Sequence, residues 1–441
     1  MIQEYQIHTI DNMAKTYRSY EPEQMILMPQ SLQDWLSEDH LVYFVSDLVD
    51  DLDLRAIESV YEEEDRGQPP YHPQMMTKLL MYAYCVGVFS SRRIHKRLIE
   101  DIAFRVLAAG NRPDFRTISD FRKIHRQALE GLFQQVLRMA LGAGAMKLGR
   151  VALDGSKLKG NASKHKAMSY GHMKKREGEL REEVRRLMAQ ADREDEAEDA
   201  RYGKEHRGDE LPEELRRRES RLKRIRQAKR ALEERAREEA QGTDKERAKP
   251  KDKQQYNFTD PQSRIMKGAD GFVQGYNCQV AVEESFQLIV GQAVTQQAND
   301  KEQLKPMVKV IQEQSGHKPG KLLVDSGYCS DENLKYLGRR RIDTYMAVQR
   351  LRHGQAVVAC KRGTIPKWAT RVERMRRKLQ TKAGKRIYAA RKAIVEPVFG
   401  QIKQVRGFRQ FLLRGLNKVQ TEWALVCLTH NILKMHRICN A

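Results

Sequence analysis

The sequence lacks the features that mark disulfide-linked, secreted and membrane-spanning proteins. Its 441 residues include only 6 cysteines, and none of them form a C-x-x-C pair. This spacing predicts neither a zinc knuckle nor a disulfide framework, and it favours reduced thiols. No apolar run reaches the ~18 residues that a membrane span needs. The stretch MIQEYQIHTIDN has acids and no basic region, so it does not resemble a secretory signal. We expect a cytoplasmic protein without a membrane partner.

The chain is also poor in acids relative to bases. It has 81 Lys and Arg against 59 Asp and Glu, a net charge of +22 and a pI near 9.7. Residues 1–65 oppose this trend with sixteen acids and three bases, so the remainder carries about +35. A soluble chain this basic usually has a polyanionic partner, most often nucleic acid. Since 40% of the residues are hydrophobic, the chain is able to form cores.

Residues 31–147 show the apolar spacing of helices. The stretch DHLVYFVSDLVDDL repeats its apolar residues with a period near 3.6. The pattern predicts a helical DNA-binding domain of about five helices, which follows an N-terminal arm at 1–30. Arg122 and Lys123 lie on one of its basic faces and are candidate DNA contacts. A solvated basic face explains such a patch equally well.

From residue 148 onward, short apolar strands indicate a catalytic α/β domain at 148–441. A charged stretch at 164–250 interrupts it, and its apolar residues form two stripes. The stripes consist of Leu180, Val184, Leu187 and Met188, and of Leu222, Ile225, Ala228 and Leu232. They predict two long amphipathic helices that fold back as a hairpin, which is a candidate contact between protomers. A disordered, charge-rich linker is the alternative.

Two apolar strands each end in an aspartate that a small residue follows. The motifs are VALDGS, with Asp154, and LLVDSG, with Asp325. A side chain after a buried strand lies at the carboxyl edge of the sheet, where open α/β sheets place their sites. An aspartate there is also a common turn-former or helix cap, and each motif taken alone favours that explanation.

The order of elements is that of a ribonuclease-H-like α/β fold. The strand with Asp154 precedes a hairpin, a helix for which Asp300 is a candidate cap, the strand with Asp325, another helix and strand, and a helix with Glu396. In such a sheet the two aspartate strands are adjacent and parallel, and the Glu396 helix packs across their ends. Three converging carboxylates repel one another unless cations neutralise them. Two Mg²⁺ or Mn²⁺ ions, about 4 Å apart, would do this and support phosphodiester cleavage.

Basic residues cluster around Glu396. On an ideal helix, Lys392 and Lys403 lie on the same face as the glutamate, at four residues before and seven after. An intrahelical ion pair is the alternative explanation for Lys392. Upstream, residues 361–386 hold eleven bases and one acid, which favours a surface for the DNA backbone. Pro397 predicts a kink or a helix start directly after the glutamate.

These motifs resemble those of the DDE transposases of bacterial insertion sequences, in particular an InsH-like group with a helical N-terminal domain and a long charged helical insertion. GRVALDGSKLKGNAS, KLLVDSGYCSDENL and RKAIVEPVFGQIKQVRGFRQFLLRGL are similar to the family's blocks around its three acids. PYHPQMMTKLLMYAYCVGVFSSRRIHKRL is similar to part of its N-terminal domain. The resemblance implies that Asp154, Asp325 and Glu396 are the metal-binding catalytic triad.

Related groups carry a Tyr, Arg, Glu and Lys signature around the third acid. The spacings from Tyr388 to Arg391 and from Glu396 to Lys403 match it. Lys392 takes the place four residues before the glutamate where arginine is usual, so the sequence leaves open whether Arg391 or Lys392 contacts DNA. The complete set of candidate DNA contacts is Tyr388, Arg391, Lys392, Lys403, Arg406, Arg414, Arg374, Arg376, Arg377, Arg122 and Lys123.

The resemblance implies a transposase that binds the terminal inverted repeats of its insertion sequence. It would cleave the DNA with water as nucleophile and join the 3′ ends to target DNA. Both ends must be held together, so we expect a dimer or higher assembly on double-stranded DNA, at the nucleoid in the cytoplasm. Two alternatives remain open. One is a catalytically decayed transposase that acts as a DNA-binding protein, and the other is a ribonuclease-H-like nuclease without strand transfer.

Overall fold

The N-terminal third of the chain is helical. The computed structural model describes residues 31–61, 69–144, 146, 148–202, 213–240, 248–268, 271–349 and 363–440, so the predicted arm at 1–30 lies outside the described residues. Seven α-helices fall in the described part of this region. They are α1 (Leu41–Asp50), α2 (Arg55–Glu58), α3 (Pro73–Cys85), α4 (Ser91–Glu100), α5 (Ile102–Leu107), α6 (Phe115–Ile124) and α7 (Arg126–Gly142). The prediction of a helical region is confirmed. The number exceeds the expected five because α2 and α5 are too short to show a helical period.

Mixed β-structure dominates the second part. Its strands are β1 (Arg150–Lys159), β2 (Ala167–Ser169), β3 (Gln255–Asn257), β4 (Arg264–Gly268), β5 (Gly271–Glu283), β6 (Ile289–Thr295), β7 (Lys321–Val324) and β8 (Asp343–Met346). The main sheet has the order β4-β5-β1-β7-β8, and β6 also pairs with β5. β5 is antiparallel to β1 and β6, whereas β1, β7 and β8 are mutually parallel. β2 and β3 form a separate small sheet.

Helices alternate with the later strands. They are α10 (Leu304–Ser315), α11 (Asp331–Arg339), α12 (Arg371–Gln380), α13 (Lys382–Gly400) and α14 (Leu416–Cys439). α10 links β6 to β7 and α11 links β7 to β8, which keeps those strands parallel. The predicted ribonuclease-H-like order of elements is confirmed. Among the described residues, no helix has both the length and the apolar character needed to cross a membrane.

α14 joins the helical region to the sheet. It packs against α3 and α7 on one side and against β6 on the other. Trp423 at its centre is fully buried, as are most of its neighbours, because the helix is covered on nearly every face. The helices and the main sheet therefore share one continuous hydrophobic core, although the predicted boundary near residue 148 separates helices from strands.

The charged insertion forms a helical hairpin with its own core. α8 (Tyr170–Tyr202) and α9 (Glu213–Glu239) pack together around a small cluster of buried residues. The cluster consists of Tyr170, Met173, Leu180, Leu222, Ile225, Ala228 and Leu232. Ion pairs from Glu177 to Lys229 and from Glu183 to Arg218 show that the helices run antiparallel. The predicted hairpin is observed, but Met188 at the end of the first stripe is 41% exposed.

A buried glutamate on α14 has an unusual protonation equilibrium. Glu422 is fully buried, and its carboxylate accepts hydrogen bonds from the backbone N–H groups of Leu412 and Leu413, at 3.1 Å. Burial raises the pKa of Glu422 to about 7, and the two backbone donors oppose this rise. Because the folded-state pKa lies above the ordinary value, this group favours folding below pH ~4.5, and that contribution is lost as the pH rises towards 7.

We predict that Glu422→Gln removes this pH dependence. Glutamine resembles the protonated acid and cannot ionise. The free energy of unfolding of the variant, relative to that of the native chain, should therefore increase by roughly 2–3 kcal/mol between pH 5 and pH 8. Urea unfolding at several pH values measures the difference. A difference that does not vary with pH would show that Glu422 titrates at an ordinary pKa.

Candidate active site

Strand register brings two aspartates to one edge of the sheet. β1 and β7 are parallel, with Leu153 opposite Val324, so Asp154 and Asp325 follow at neighbouring positions. Adjacent strands lie about 4.8 Å apart, which places the two carboxylates close together. Asp154 accepts a hydrogen bond from the N–H of Gly155, and Asp325 accepts one from the N–H of Gly327, both at 2.8 Å. The predicted parallel, adjacent arrangement of the two strands is confirmed.

An arginine from α13 neutralises this pair of acids. Nη1 of Arg391 donates to Oδ2 of Asp154 at 2.9 Å, and the two side chains are only 12% and 24% exposed. Burial raises the pKa of Asp154; Arg391 opposes the rise, and the negative charge of Asp325 adds to it. Tyr388, one turn earlier on α13, has its pKa raised by burial, and the charge of Arg391 opposes this change too. The site is thus a partly buried cluster whose two acids share one close cation.

Asp300 supports the candidate site through hydrogen bonds to β1 and β5. It occupies the cap position predicted from the sequence, but its side chain makes no cap hydrogen bond. Instead its carboxylate accepts hydrogen bonds from Lys157 at 3.0 Å, from Asn277 at 2.6 Å and from Gln279 at 2.8 Å. The backbone of β1 passes so close that a Cβ on Gly155 would lie 2.8 Å from Asp300 Oδ1. Asp300 therefore holds the strand that carries Asp154.

This supporting network was missing from the sequence prediction. Gln279 also accepts a hydrogen bond from the fully buried hydroxyl of Tyr328, which directly follows the Asp325 turn. Asn277 and Gln279 are themselves fully buried. The two amides at alternate positions of β5 were the available signal, because inward-facing amides need a buried partner.

The third predicted acid has a different environment. Glu396 is exposed on α13 and makes no hydrogen bond or ion pair with any residue that the structure describes. In the described part of the chain, no group of three or more acidic, histidine or cysteine side chains is arranged to hold a metal ion. The structure thus brings Asp154 and Asp325 together, while the role of Glu396 stays a prediction.

Lys403 reaches the site through a change in helix type. After α13 the chain forms a π-helical turn at Gln401–Val405, which adds residues to each turn and breaks the seven-residue repeat from Glu396. Nζ of Lys403 donates to Oγ of Ser156, two residues beyond Asp154 on β1. The prediction that Lys403 and Glu396 share one helix face assumed an ideal α-helix and does not describe this turn.

Pro397 lies inside α13, so of the two predicted outcomes, a kink or a helix start, the helix start is excluded. Proline has no N–H, and it leaves the carbonyl of Ala393, four residues earlier, without its helical donor. Nε2 of Gln287 donates to that carbonyl at 2.9 Å. The backbone carbonyl of Gln287 is in turn bonded to His430 on α14. The lost helical hydrogen bond is therefore replaced by one that ties α13 to its neighbours.

The structure separates the remaining predicted DNA contacts by exposure. Lys392 is exposed on the outer side of α13, so it is Arg391 that faces the two acids. Arg374 and Arg377 donate to backbone carbonyls between residues 363 and 369 and so order the chain before α12. Arg376 is half-buried.

Two other predicted contacts are exposed but partly engaged with the protein. Arg414 is exposed and donates to the carbonyl of Asn161 at 2.9 Å. Lys123 pairs with Asp120 at 2.6 Å, and both side chains are about half exposed. Exposed ion pairs of this kind are weak, so Lys123 is still accessible to another anion.

Two predicted contacts are corrected because the structure buries them. Arg406 is 6% exposed and donates to Thr429 and to the carbonyl of Val426, and burial lowers its pKa to about 10. Arg122 is 5% exposed and donates to Tyr84 and to the carbonyl of Phe89. Both guanidinium groups are used inside the protein and do not face a DNA surface.

Comparison with protein families agrees with this fold. Residues 241–432 match the family described as "Transposase DDE domain", and residues 30–124 match "Transposase domain (DUF772)". Together the two matches cover more than half of the chain. The first includes Asp325 and Glu396 but does not reach Asp154. No significant match was found among curated proteins or solved structures. The chain belongs to the DDE transposases of bacterial insertion sequences, a family of enzymes that cut and join DNA.

DDE transposases as a family use divalent metal ions, and two of the proposed ligands fit such an ion. Asp154 and Asp325 supply oxygen ligands of the kind that Mg²⁺ prefers. Burial and the charge of Asp325 both raise the pKa of Asp154, so a cation at this edge would relieve a real electrostatic cost. In the structure Arg391 partly supplies that positive charge.

We predict that Asp300→Ala destabilises the fold by about 3 kcal/mol, because it leaves the partly buried ammonium of Lys157 without its counter-ion. Urea unfolding measures the loss. The second variant, Asp300→Ala with Lys157→Met, should recover part of it because the unpaired charge is gone. Asp331→Ala is the matched control, since it breaks an exposed ion pair with Arg371 and should cost less than about 1 kcal/mol. Equal losses in Asp300→Ala and the control would contradict the supporting role of Asp300.

Proposed function

We propose that the protein binds the terminal inverted repeats of its insertion sequence, cleaves the DNA there and joins the freed 3′ ends to target DNA. The observation that carries this proposal is the pair of aspartates on adjacent parallel strands, surrounded by Arg391, Tyr388 and Lys403. Two acids with several nearby cations suit a phosphodiester, because the acids hold metal ions and the cations hold phosphate oxygens.

Asp154, Asp325 and Glu396 would hold two Mg²⁺ or Mn²⁺ ions. When bound, such ions activate the attacking oxygen and stabilise the leaving one. Arg391 holds Asp154 in place before the reaction, and Asp300 and Gln279 fix the strand beneath it. Glu396 lies one turn or more beyond Arg391 on the same helix, so its contribution requires a movement of its exposed side chain or of α13.

The DNA backbone would lie along Tyr388 and the predicted cations that the structure does not fully bury. These cations are Arg391, Lys392, Lys403, Arg414, Arg374, Arg376, Arg377 and Lys123. Binding through phosphate contacts would be strongly salt-dependent. Holding two element ends requires a dimer or a higher assembly, and action on chromosomal DNA would place the protein at the nucleoid in the cytoplasm.

We predict that Asp154→Asn and Asp325→Asn each lower strand transfer by about 10³-fold or more, because each removes a metal ligand worth several kcal/mol. Binding to the repeats should change little. A labelled terminal-repeat duplex, a target plasmid and Mg²⁺ measure transfer, and a gel-shift assay measures binding. Glu396→Gln should behave like the aspartate variants, while Glu313→Gln, an exposed glutamate on α10, is its matched control.

Three outcomes would change the proposal. Unaltered transfer by Asp154→Asn would exclude this site as the catalytic centre. Cleavage without joined product would favour a nuclease that lacks strand transfer. Binding of the repeats without cleavage by the native chain would favour a decayed transposase that acts as a DNA-binding protein.

We further predict that Arg391→Gln tightens divalent-metal binding but reduces strand transfer. The substitution frees Asp154 from its ion pair and removes a positive charge beside the site, so the metal concentration at half-maximal thermal stabilisation should fall. Transfer should fall because the proposed phosphate contact is lost. Lys418→Gln, which removes an exposed charge on α14, should leave this metal midpoint, the metal concentration at half-maximal thermal stabilisation, unchanged. A metal midpoint for Arg391→Gln equal to that of this control would contradict competition between Arg391 and the metal.

A further inference from the structure

The helical insertion forms one wall of a cleft that lies outside the candidate active site. The cleft has a volume of about 790 Å³ and lies between α9 and the segment that leads into β2. Its lining includes His165 and Lys166 from this segment and Arg216, Arg221 and Arg224 from α9. All five of these side chains belong to exposed residues. The lining contains no acidic residue among those that the structure describes.

Three arginines of the cleft have no ionic partner among the described residues, although the insertion is rich in acids. Arg216, Arg221 and Arg224 make no ion pair or hydrogen bond with any described residue. On the other faces of the hairpin, Glu177 pairs with Arg181, Arg226 and Lys229, at 3.0 to 3.3 Å. The hairpin therefore uses Glu177 to neutralise cations elsewhere, and Arg216, Arg221 and Arg224 are available to an external anion.

The cleft also has apolar residues in its lining. Phe258 and Ile225 line it, and Ile225 belongs to the hydrophobic core of the hairpin. The N–H of Phe258 donates to the carbonyl of Lys166 at 3.0 Å, next to the pairing of β2 with β3. The cations thus project from ordered backbone on two sides of one groove, which is the arrangement that can follow a polyanion.

The cleft is connected to the active site through β1. Asp154 lies on this strand, and the ten residues from it to Lys164 span at most about 34 Å. One turn of duplex DNA has the same length, about 34 Å. Between the two sites, Asn161 donates to the carbonyl of Leu412 at 2.7 Å and its own carbonyl accepts from Arg414, a proposed DNA contact. Arg414 therefore lies beside the segment of chain that connects the acids to the cleft.

We propose that this cleft holds the phosphate backbone of the element-end duplex, within about one helical turn of the bond that is cut. The inference rests on the proposed function and adds a second contact region to it. The insertion, on this view, serves as a DNA clamp that sets the position of the end relative to Asp154 and Asp325. Because the contacts are to phosphates, the clamp reads no bases itself.

The test compares two triple variants of the full-length protein. Arg216→Ala, Arg221→Ala and Arg224→Ala remove three charges from the cleft. The control variant carries Lys223→Ala, Arg230→Ala and Arg237→Ala, which remove three charges from exposed residues of the same helix that do not line the cleft. Because both variants lose the same net charge, a difference in DNA binding between them would report a specific site and not a general attraction to DNA. Replacing the three cleft arginines by lysine should restore binding, since a phosphate contact needs only the positive charge.

Binding is measured on a terminal-repeat duplex at several salt concentrations. For the cleft variant we expect the slope of log K against log salt to be less steep by about 3, since each phosphate contact contributes about 0.9. Hydroxyl-radical footprinting should show protection lost in one segment within about one turn of the cleaved bond and kept elsewhere. The control variant should match the native protein in both measurements.

The outcomes are distinguishable from a failure of the proposed function. If the native protein neither binds nor joins terminal-repeat DNA, the proposed function fails. If it does both, and the cleft variant has the native slope and footprint, the cleft proposal alone is wrong. Loss of self-association by the cleft variant without DNA, with an unchanged salt slope, would instead identify the cleft as a contact between protomers.

Discussion

The structure depends on holding two like charges side by side at the edge of a buried sheet. The parallel pairing of β1 with β7 makes Asp154 and Asp325 neighbours, and burial increases the cost of their repulsion. Arg391, on α13, reduces this cost through its ion pair with Asp154. Asp300 holds β1 through Lys157 and also accepts hydrogen bonds from side-chain amides of β5. Such a site is prepared for cations, because any positive charge that enters it relieves a strain that the fold already contains.

The later helices maintain this arrangement. Pro397 weakens α13 at the point where the helix must cross the sheet, and Gln287 replaces the missing hydrogen bond and connects α13 to α14. α14 in turn packs on both the N-terminal helices and the sheet. The buried Arg406 donates to α14 and approaches the carbonyl of Tyr84 on α3 at 3.5 Å. The position of Arg391 on α13 therefore depends on contacts that extend into the helical region.

Much of the architecture was predictable from local patterns. Apolar strands that end in aspartate, the hairpin between them and the paired stripes of the insertion follow from periods of about 2 and 3.6 residues, which depend only on local backbone geometry. The exceptions share a cause. Arg122 and Arg406 resembled surface cations in sequence, but their guanidinium groups satisfy buried carbonyls and hydroxyls supplied by distant segments. Asp300 resembled a helix cap in sequence, but its carboxylate accepts hydrogen bonds from three side chains on the distant strands β1 and β5.

The sequence by itself determined the class of fold, the two aspartate motifs and the excess of positive charge, because hydrophobic period and composition are properties of the chain alone. Only the tertiary structure decided which cations meet which acids. It placed Arg391 rather than Lys392 against Asp154, used a π-turn to bring Lys403 to Ser156, and left Glu396 exposed. Such contacts depend on the rotation of one helix over a sheet formed from segments more than 200 residues away. No local pattern in the sequence specifies that rotation.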